Sequence, residues 1–211
     1  MPTAWNDDPP GYEPRILANA AEALRSIAGG ADRRDPPTAD MALRWHEQLY
    51  DGVPLPVAYY AGQVRNSDPQ LPELYGYEVA VGPFSGAPSG LVPQELARFE
   101  TRAQAAVAGI DAGIAAGEQP GTPSALYSVL ALCSVLHGEW VRIHPFANGN
   151  GRTARLWGNW AALRYGLPAF IAIKPRPVGS PYGLAAMASM QGDHQPAIAV
   201  FEQMLRAHLR R

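Results

Sequence analysis

The chain has 211 residues and a formal net charge of −2, and 47% of its residues are hydrophobic. This length allows one domain with a substantial hydrophobic core, or one domain with a small appendage. The lack of a basic excess argues against a nucleic-acid-binding protein. A single cysteine, Cys133, excludes a disulfide framework and a cysteine-based metal site.

The first 14 residues are polar and rich in proline, with no apolar stretch typical of a signal peptide. No apolar run approaches the length that spans a membrane. We therefore expect a cytoplasmic protein without a membrane partner, although a secreted effector with an unusual export signal would have the same features.

Residues 1–52 are predicted to form an arm followed by a helical cap. The polar residues 1–12 are expected to be mobile. Apolar residues recur at helical spacing between residues 14 and 27, before two glycines, and again at residues 41–49, after a threonine that can cap a helix. We expect both helices to pack on the domain formed by residues 53–211.

A β-hairpin is predicted between residues 57 and 82. Prolines throughout residues 53–90 exclude a long helix there, whereas residues 57–60 and 77–81 have the composition of strands. The turn-rich insert at residues 66–76 is expected to be a flexible tip. The pattern thus indicates an exposed two-stranded hairpin ahead of a helical core.

The remaining sequence predicts an all-helical core around one buried helix. A helix from Pro93 has one apolar face and ends at Gly117, and the next helix, at residues 124–142, is apolar nearly all round, which is typical of a fully buried helix. His137 on that helix is interpreted as a core histidine rather than a second catalytic group. Three further helices are predicted, at residues 150–165, 181–191 and 196–210.

The stretch from His144 to Arg155 combines several features of a phosphate site, and it reads His-Pro-Phe-Ala-Asn-Gly-Asn-Gly-Arg-Thr-Ala-Arg. Its glycines and asparagines tolerate the backbone conformations that turn successive N–H groups toward one point. A helix starting at about Asn150 adds the positive end of its dipole to that point. Arg152 and Arg155 then lie on one face of the first helical turns, with His144 at the mouth of the site.

The pattern His-Pro-Phe-x-x-Gly-Asn-Gly-Arg-x-x-Arg resembles the signature of the Fic family, enzymes that transfer the nucleotide part of ATP to protein hydroxyl groups. Looser likeness extends to residues 61–65 and 78–82, which resemble the paired strands before the family's helical core, and to residues 182–193, which resemble its closing segment. The resemblance implies a Fic-like all-α fold with a small β-hairpin flap at about residues 57–82. It also implies that a target protein binds along the free edge of this flap by strand addition.

The resemblance also assigns roles to single residues. His144 corresponds to the catalytic base, a task that suits the unperturbed pKa of histidine near neutrality, and Asn150 and Arg152 complete the catalytic set. Arginine suits such a site because its guanidinium group can bind phosphate through two hydrogen bonds. The residues expected to bind the nucleotide and its phosphates are Asn148, Gly149, Asn150, Gly151, Arg152, Arg155, Asn159 and Tyr182.

Asn148 departs from the family pattern. Many members have Asp or Glu at this position as a ligand for Mg²⁺, and a neutral amide oxygen is a weaker partner for this small cation than a carboxylate. Three outcomes are open: Mg²⁺ held weakly by Asn148 and the phosphates of ATP, a different phosphate-bearing donor, or a site with little activity.

The favoured function is transfer of AMP from ATP to a Ser, Thr or Tyr hydroxyl of a target protein. The alternatives are a transferase that uses another phosphate-bearing donor, supplying phosphate, UMP or phosphocholine, and a weakly active protein-binding module. Many members of the resembling family carry an inhibitory helix with the pattern Ser/Thr-x-x-x-Glu-Gly/Asn, but no glutamate of this chain precedes Gly or Asn. Inhibition would then come from a separate antitoxin-like protein, or be missing.

Overall fold

Residues 3–177 and 179–210 are described by a computed structural model, and within them the chain forms seven α-helices and one short hairpin. The helices are α1 (Glu13–Gly30), α2 (Ala39–Leu49), α3 (Val92–Asp111), α4 (Pro123–Ile143), α5 (Asn150–Arg164), α6 (Ser180–Met190) and α7 (Gln195–Leu209). The strands are β1 (Ala80–Val81) and β2 (Phe84–Ser85), and short 3₁₀ turns occur at Ala31–Arg33, Ala58–Tyr60 and Ser89–Leu91. The predicted all-α fold class is confirmed.

Helix α4 lies at the centre of the fold, as predicted. The Thr122 hydroxyl oxygen caps its start by accepting a hydrogen bond from the Ala125 N–H at 3.1 Å. Its buried side chains, Leu136 and Trp140 among them, pack against α3, α5, α6 and α7. By length and composition alone α4 would be sufficient to cross a membrane, contrary to expectation, but 56% of its apolar window is buried within the protein, as is usual for a core helix.

Helices α1 and α2 pack against each other and against α5, so the first part of the chain adjoins the signature helix. Composition predicts a mobile segment before α1, but Trp5 is buried against α2 and Tyr60. The Tyr60 hydroxyl also donates a hydrogen bond to the Thr3 carbonyl at 2.8 Å. The prediction of a mobile arm is therefore wrong for residues 3–8, whereas the division of the chain after residue 52 stays a prediction.

The predicted hairpin at residues 57–82 is wrong in position and extent. Residues 58–60 form a 3₁₀ turn and residues 61–65 are irregular, and the strand pairing is between β1 and β2 instead. The insert at residues 66–76 is not a flexible tip, because Leu74 within it is fully buried. Burial of apolar side chains in this region outweighs the strand propensity of the sequence around it.

Candidate active site

The signature loop is held between two residues with left-handed backbone conformations. His144 ends α4 with φ 53° and ψ 56°, and Gly149 precedes α5 with φ 77°. The Asn150 side chain closes the loop between them, because its Oδ1 accepts the Phe146 N–H and its Nδ2 donates to the Phe146 carbonyl, both at 2.9 Å. The amide groups of Asn150 are thus engaged in shaping the loop.

Helix α2 forms the floor beneath this loop. The rings of His46 and Phe146 are stacked, with centroids 3.7 Å and planes 10° apart. His46 Nδ1 accepts a backbone N–H, and its Nε2 donates to the Asn148 carbonyl at 3.0 Å. A Cβ atom at Gly149 would lie 2.4 Å from Tyr50 Oη and 2.7 Å from His46 Nε2. Glycine is therefore required at this position for space as well as for backbone conformation.

His144 lines a cavity with one ring nitrogen free. Its Nδ1 donates to the Val141 carbonyl at 3.0 Å, and Nε2 has no hydrogen-bond partner within residues 3–177 and 179–210. Burial lowers the pKa of His144 to about 4, the hydrogen bond to Val141 acts in the opposite direction, and the Arg65 charge lowers it further. The ring is therefore neutral at pH 7, with a lone pair on Nε2 that can accept a proton.

Arg65 fixes the backbone that carries His144. Its fully buried guanidinium donates to four carbonyls, those of Tyr77 at 2.7 Å, His144 at 2.9 Å, Ala87 at 3.0 Å and Ile143 at 3.2 Å. Two of these carbonyls lie at the C-terminal end of α4, where helical acceptors have no partner within the helix. Burial lowers the pKa of Arg65 to about 10, so the side chain is still charged at pH 7.

The two signature arginines are both buried, and both are engaged by the protein itself. Arg152 Nη1 donates to the Asp7 carboxylate at 2.7 Å and to the Tyr50 hydroxyl at 2.8 Å. Arg155 donates to the Ile173 carbonyl through Nε at 3.1 Å and through Nη2 at 2.7 Å. Both arginines line the same cavity. In this conformation, however, each guanidinium already donates hydrogen bonds to groups of the protein and is not free to bind phosphate.

Tyr182 and Asn159 are both predicted to border the nucleotide, but only Tyr182 lines the cavity. Tyr182 lines the cavity, and its hydroxyl accepts a hydrogen bond from Arg155 Nη1 at 3.4 Å and donates to Nε2 of the core histidine His137 at 3.0 Å. Asn159 is fully buried, donating to the Ile171 carbonyl at 2.7 Å and accepting the Ile171 N–H at 3.0 Å. The prediction for Asn159 is wrong, because its amide satisfies a buried backbone segment away from the cavity.

The cavity has a volume of about 520 Å³ and a wall of mixed chemistry. Lys174 and Arg176, from the loop before α6, add two cations to the signature arginines, while α6 and the hairpin supply apolar side chains such as Met187 and Phe84. A cavity of this kind suits a small molecule that carries phosphates. Eight of the nine residues predicted for the site line it: His144, Asn148, Gly149, Asn150, Gly151, Arg152, Arg155 and Tyr182.

Asn148 does not fit the role of a Mg²⁺ ligand in this arrangement. Its Nδ2 donates to the Trp5 carbonyl at 2.8 Å, and its Oδ1 accepts the Gly149 N–H at 2.9 Å. A carboxylate could not donate to Trp5, so the amide suits an anchor for the segment before α1. The described residues also contain no cluster of three His, Cys, Asp or Glu side chains suited to a metal. Binding of Mg²⁺ through Asn148 stays a prediction, and no step of the reaction is derived from it.

A family model of Fic/DOC proteins matches residues 36–162, which include the whole signature. The chain belongs to the Fic/DOC family. The resemblance inferred from the signature is thereby confirmed. Members of this family are transferases that act by nucleotidyl or phosphoryl transfer, so the cavity around His144 is the candidate active site of a transferase.

Solved Fic structures have the same fold as this chain. One is a Fic domain containing signaling protein from Bacteroides thetaiotaomicron VPI-5482, with a TM-score of 0.65 and 22% identity, covering 96% of this chain and 72% of that one. Another is BepC, a VirB-translocated effector protein from Bartonella tribocorum with bound AMPPNP, with a TM-score of 0.57 and 15% identity, covering 90% of this chain and 86% of that one. At these identities the likeness establishes the fold alone.

A curated relative matches a short part of this Fic protein. It is the uridine 5′-monophosphate transferase of Xanthomonas campestris pv. campestris (strain 8004), which is 58% identical over 33 residues, or 16% of this chain. This chain spans only 6% of the length of that relative.

Sequence reasoning missed the residues that reach this Fic site from outside the signature. His46 and Tyr50 support the loop from α2, Arg65 holds the end of α4, and Asp7 reaches Arg152 from the segment before α1. Arg65 lies in the segment 61–65 that resembles a family strand, but no motif assigns a role to any of these residues, because each acts through a contact between distant parts of the chain. The sequence does contain one signal for further cations at the site, the basic loop Lys-Pro-Arg-Pro that begins at Lys174.

The free energy of unfolding is expected to fall steeply as the pH is lowered from 6.5 toward 4. Burial is the largest cause that lowers the pKa of His46 and of His137 to about 3, and of His144 to about 4. In the unfolded chain each histidine binds a proton below about pH 6.5, so the unfolded state holds more protons in this window. Each histidine then removes up to about 1.4 kcal/mol of stability per pH unit as the pH falls.

Urea unfolding between pH 7 and pH 5 measures this loss before carboxylates of the unfolded chain begin to protonate. The variant His208→Gln is the control, because His208 is exposed and its loss should leave the slope unchanged. A stability that stays constant over this range would show that the three buried histidines are not held neutral.

Proposed function

We propose that this Fic protein transfers AMP from ATP to a Ser, Thr or Tyr hydroxyl group of a target protein. One observation carries the proposal: the neutral His144 ring, with Nε2 free, lines the same cavity as Arg152 and the start of α5. Nucleotidyl transfer needs a base for the hydroxyl proton and positive groups for the phosphates, and this cavity contains both.

In the proposed step, the target hydroxyl gives its proton to Nε2 of His144 while its oxygen forms a bond to the α-phosphorus. The bond from that phosphorus to the bridging oxygen of the β-phosphate breaks, and pyrophosphate leaves with the electron pair. Positive groups near the phosphates include Arg152 and the N–H groups of Asn150 and Gly151, which have no partner in the described parts of the chain. These N–H groups also stand at the positive end of the α5 dipole.

The target segment is proposed to lie along the β1–β2 hairpin. Val81 and Phe84 of this hairpin line the cavity, and Val81 is exposed. An extended peptide that pairs with the free edge of the hairpin would bring a hydroxyl close to His144. The net charge of −2 favours a protein over a nucleic acid as the target.

A second candidate is transfer of UMP from UTP, which the 33-residue match to the Xanthomonas uridine 5′-monophosphate transferase favours. The chemistry at the α-phosphorus would be the same, because the base of the nucleotide takes no part in the step. The two candidates differ only in the nucleoside that the cavity accepts.

The test uses ATP and UTP radiolabelled at the α-phosphate, and ATP labelled at the γ-phosphate, each incubated with the protein and a bacterial lysate. We expect label on protein from α-labelled ATP and none from γ-labelled ATP. Stronger labelling from UTP would replace the first candidate by the second. Labelling from the γ-phosphate would instead mean phosphoryl transfer, and no label from any donor would favour a binding module.

A further inference from the structure

A short acidic segment lies against Asn148 and Arg152, at the start of α5 in the candidate active site. This acidic segment consists of residues 5–8, Trp-Asn-Asp-Asp. Trp5 anchors it, because its ring packs edge-on against Tyr50 with centroids 4.7 Å apart, and its carbonyl accepts the hydrogen bond from Asn148 at 2.8 Å. The two aspartates that follow are thereby held inside the cavity wall.

Both aspartates of the acidic segment bind cations of the cavity. Arg152 Nη1 donates to the Asp7 carbonyl at 2.8 Å and to its carboxylate at 2.7 Å. Asp8 Oδ2 lies 3.6 Å from Arg152 Nη2 and 2.5 Å from Lys174 Nζ. The side chains of Arg152 and Lys174 are only 9% and 8% exposed, whereas those of Asp7 and Asp8 are 25% and 48% exposed, so buried cations are paired with carboxylates that still reach solvent.

The cations bound by the acidic segment are groups that would otherwise hold phosphate. Guanidinium and ammonium groups bind carboxylate and phosphate oxygens through the same charge-assisted hydrogen bonds. A donor that carries a chain of phosphates therefore competes with Asp7 and Asp8 for Arg152 and Lys174. In the described residues, Arg155 and Arg176 also line the cavity but have no carboxylate partner, and Arg155 donates to the neutral Ile173 carbonyl and Tyr182 hydroxyl instead. Carboxylates thus occupy only one part of the phosphate site.

We propose that the acidic segment is an intramolecular inhibitor that fills the part of the phosphate site formed by Arg152 and Lys174. A phosphate-bearing donor binds tightly only when Asp7 and Asp8 have left these cations, so its apparent affinity is reduced by the fraction of protein in the released state. The proposal rests on the proposed function in one respect, that the donor bears phosphates. The acidic segment would thus supply an inhibitor in a chain whose sequence lacks the Ser/Thr-x-x-x-Glu-Gly/Asn pattern of the family's inhibitory helix.

Calorimetric titration with pyrophosphate tests the proposal without any target protein. The native protein is compared with the double variant Asp7→Asn/Asp8→Asn, which keeps the size of both side chains and removes their charges. The matched control is Asp32→Asn/Glu118→Gln, which removes two charges from exposed residues outside the cavity. We expect the double variant to bind pyrophosphate about tenfold more tightly than the native protein, and the control to bind like the native protein.

The outcomes separate this proposal from the proposed function. Equal affinity of the native protein and the double variant would overturn the inhibitory role of the acidic segment and leave the proposed function standing. An equal gain in the control would overturn it too, because the effect would then come from net charge. If no variant bound pyrophosphate, both the inhibitor and the phosphate-bearing donor would be rejected.

Discussion

Replacing His144 by alanine is expected to lower the rate of nucleotidyl transfer by about 10²–10⁴-fold, the usual contribution of a general base. In the proposed reaction, the variant lacks the nitrogen that would take the hydroxyl proton but keeps the groups proposed to bind the phosphates. The fold should be retained, because the His144 side chain makes one hydrogen bond, to the Val141 carbonyl. Label incorporation from the α-phosphate measures the rate, and thermal unfolding checks the fold.

The control for this change is His208→Ala, which removes an exposed histidine from the far end of α7. Its transfer rate should equal that of the native protein. A His144→Ala variant that is folded and retains a rate within about tenfold of native would show that another group takes the proton.

Replacing Arg65 by methionine is expected to destabilise the protein by about 3 kcal/mol or more, because each buried carbonyl that loses its partner costs about 1–3 kcal/mol. Methionine fills a similar volume but donates no hydrogen bond. Three carbonyls, those of Tyr77, Ala87 and His144, lose their side-chain donor, whereas the Ile143 carbonyl keeps the hydrogen bond from the Ala87 N–H at 3.1 Å. Urea unfolding of the purified variant measures the loss.

Arg102→Met is the matched control, because Arg102 is exposed on α3 and its replacement should change the free energy of unfolding by no more than about 0.5 kcal/mol. Arg65→Lys should fall between the two, since an ammonium group keeps the charge but cannot reach the four carbonyls at once. A loss below about 1 kcal/mol for Arg65→Met would mean that other donors or water replace the guanidinium.

The family could be recognised from the signature because the pattern is local. The left-handed conformation of Gly149, the start of α5 at Asn150 and the spacing of Arg152 and Arg155 all depend on residues within one short stretch. The central position of α4 was equally predictable from its apolar sequence, although Tyr127 and Val135 on this helix are exposed, so it is not buried on all sides. These elements also determine where His144 lies.

The remaining features depend on contacts between distant residues, which no local pattern contains. The composition of the acidic segment predicts a mobile arm, but Trp5 is buried against α2. The strand-like residues near Tyr60 are buried instead of paired, and Leu74 of the turn-rich insert is buried as well. The sequence predicts Asn148 as a nucleotide-binding residue and a weak metal ligand, whereas in the structure its amide anchors Trp5. The buried position of Asn159 depends in the same way on the chain at Ile171.

The most direct test of the proposed reaction is to identify which phosphorus is attacked. Purified protein in excess over ATP is incubated without a target, so that water or the protein itself is the acceptor, and the products are separated by ion-exchange chromatography. His144→Ala is treated in parallel to exclude a contaminating enzyme. Attack at the α-phosphorus predicts pyrophosphate, together with free AMP or AMP on the protein, in the native sample alone. ADP and phosphate as the products that depend on His144 would contradict nucleotidyl transfer.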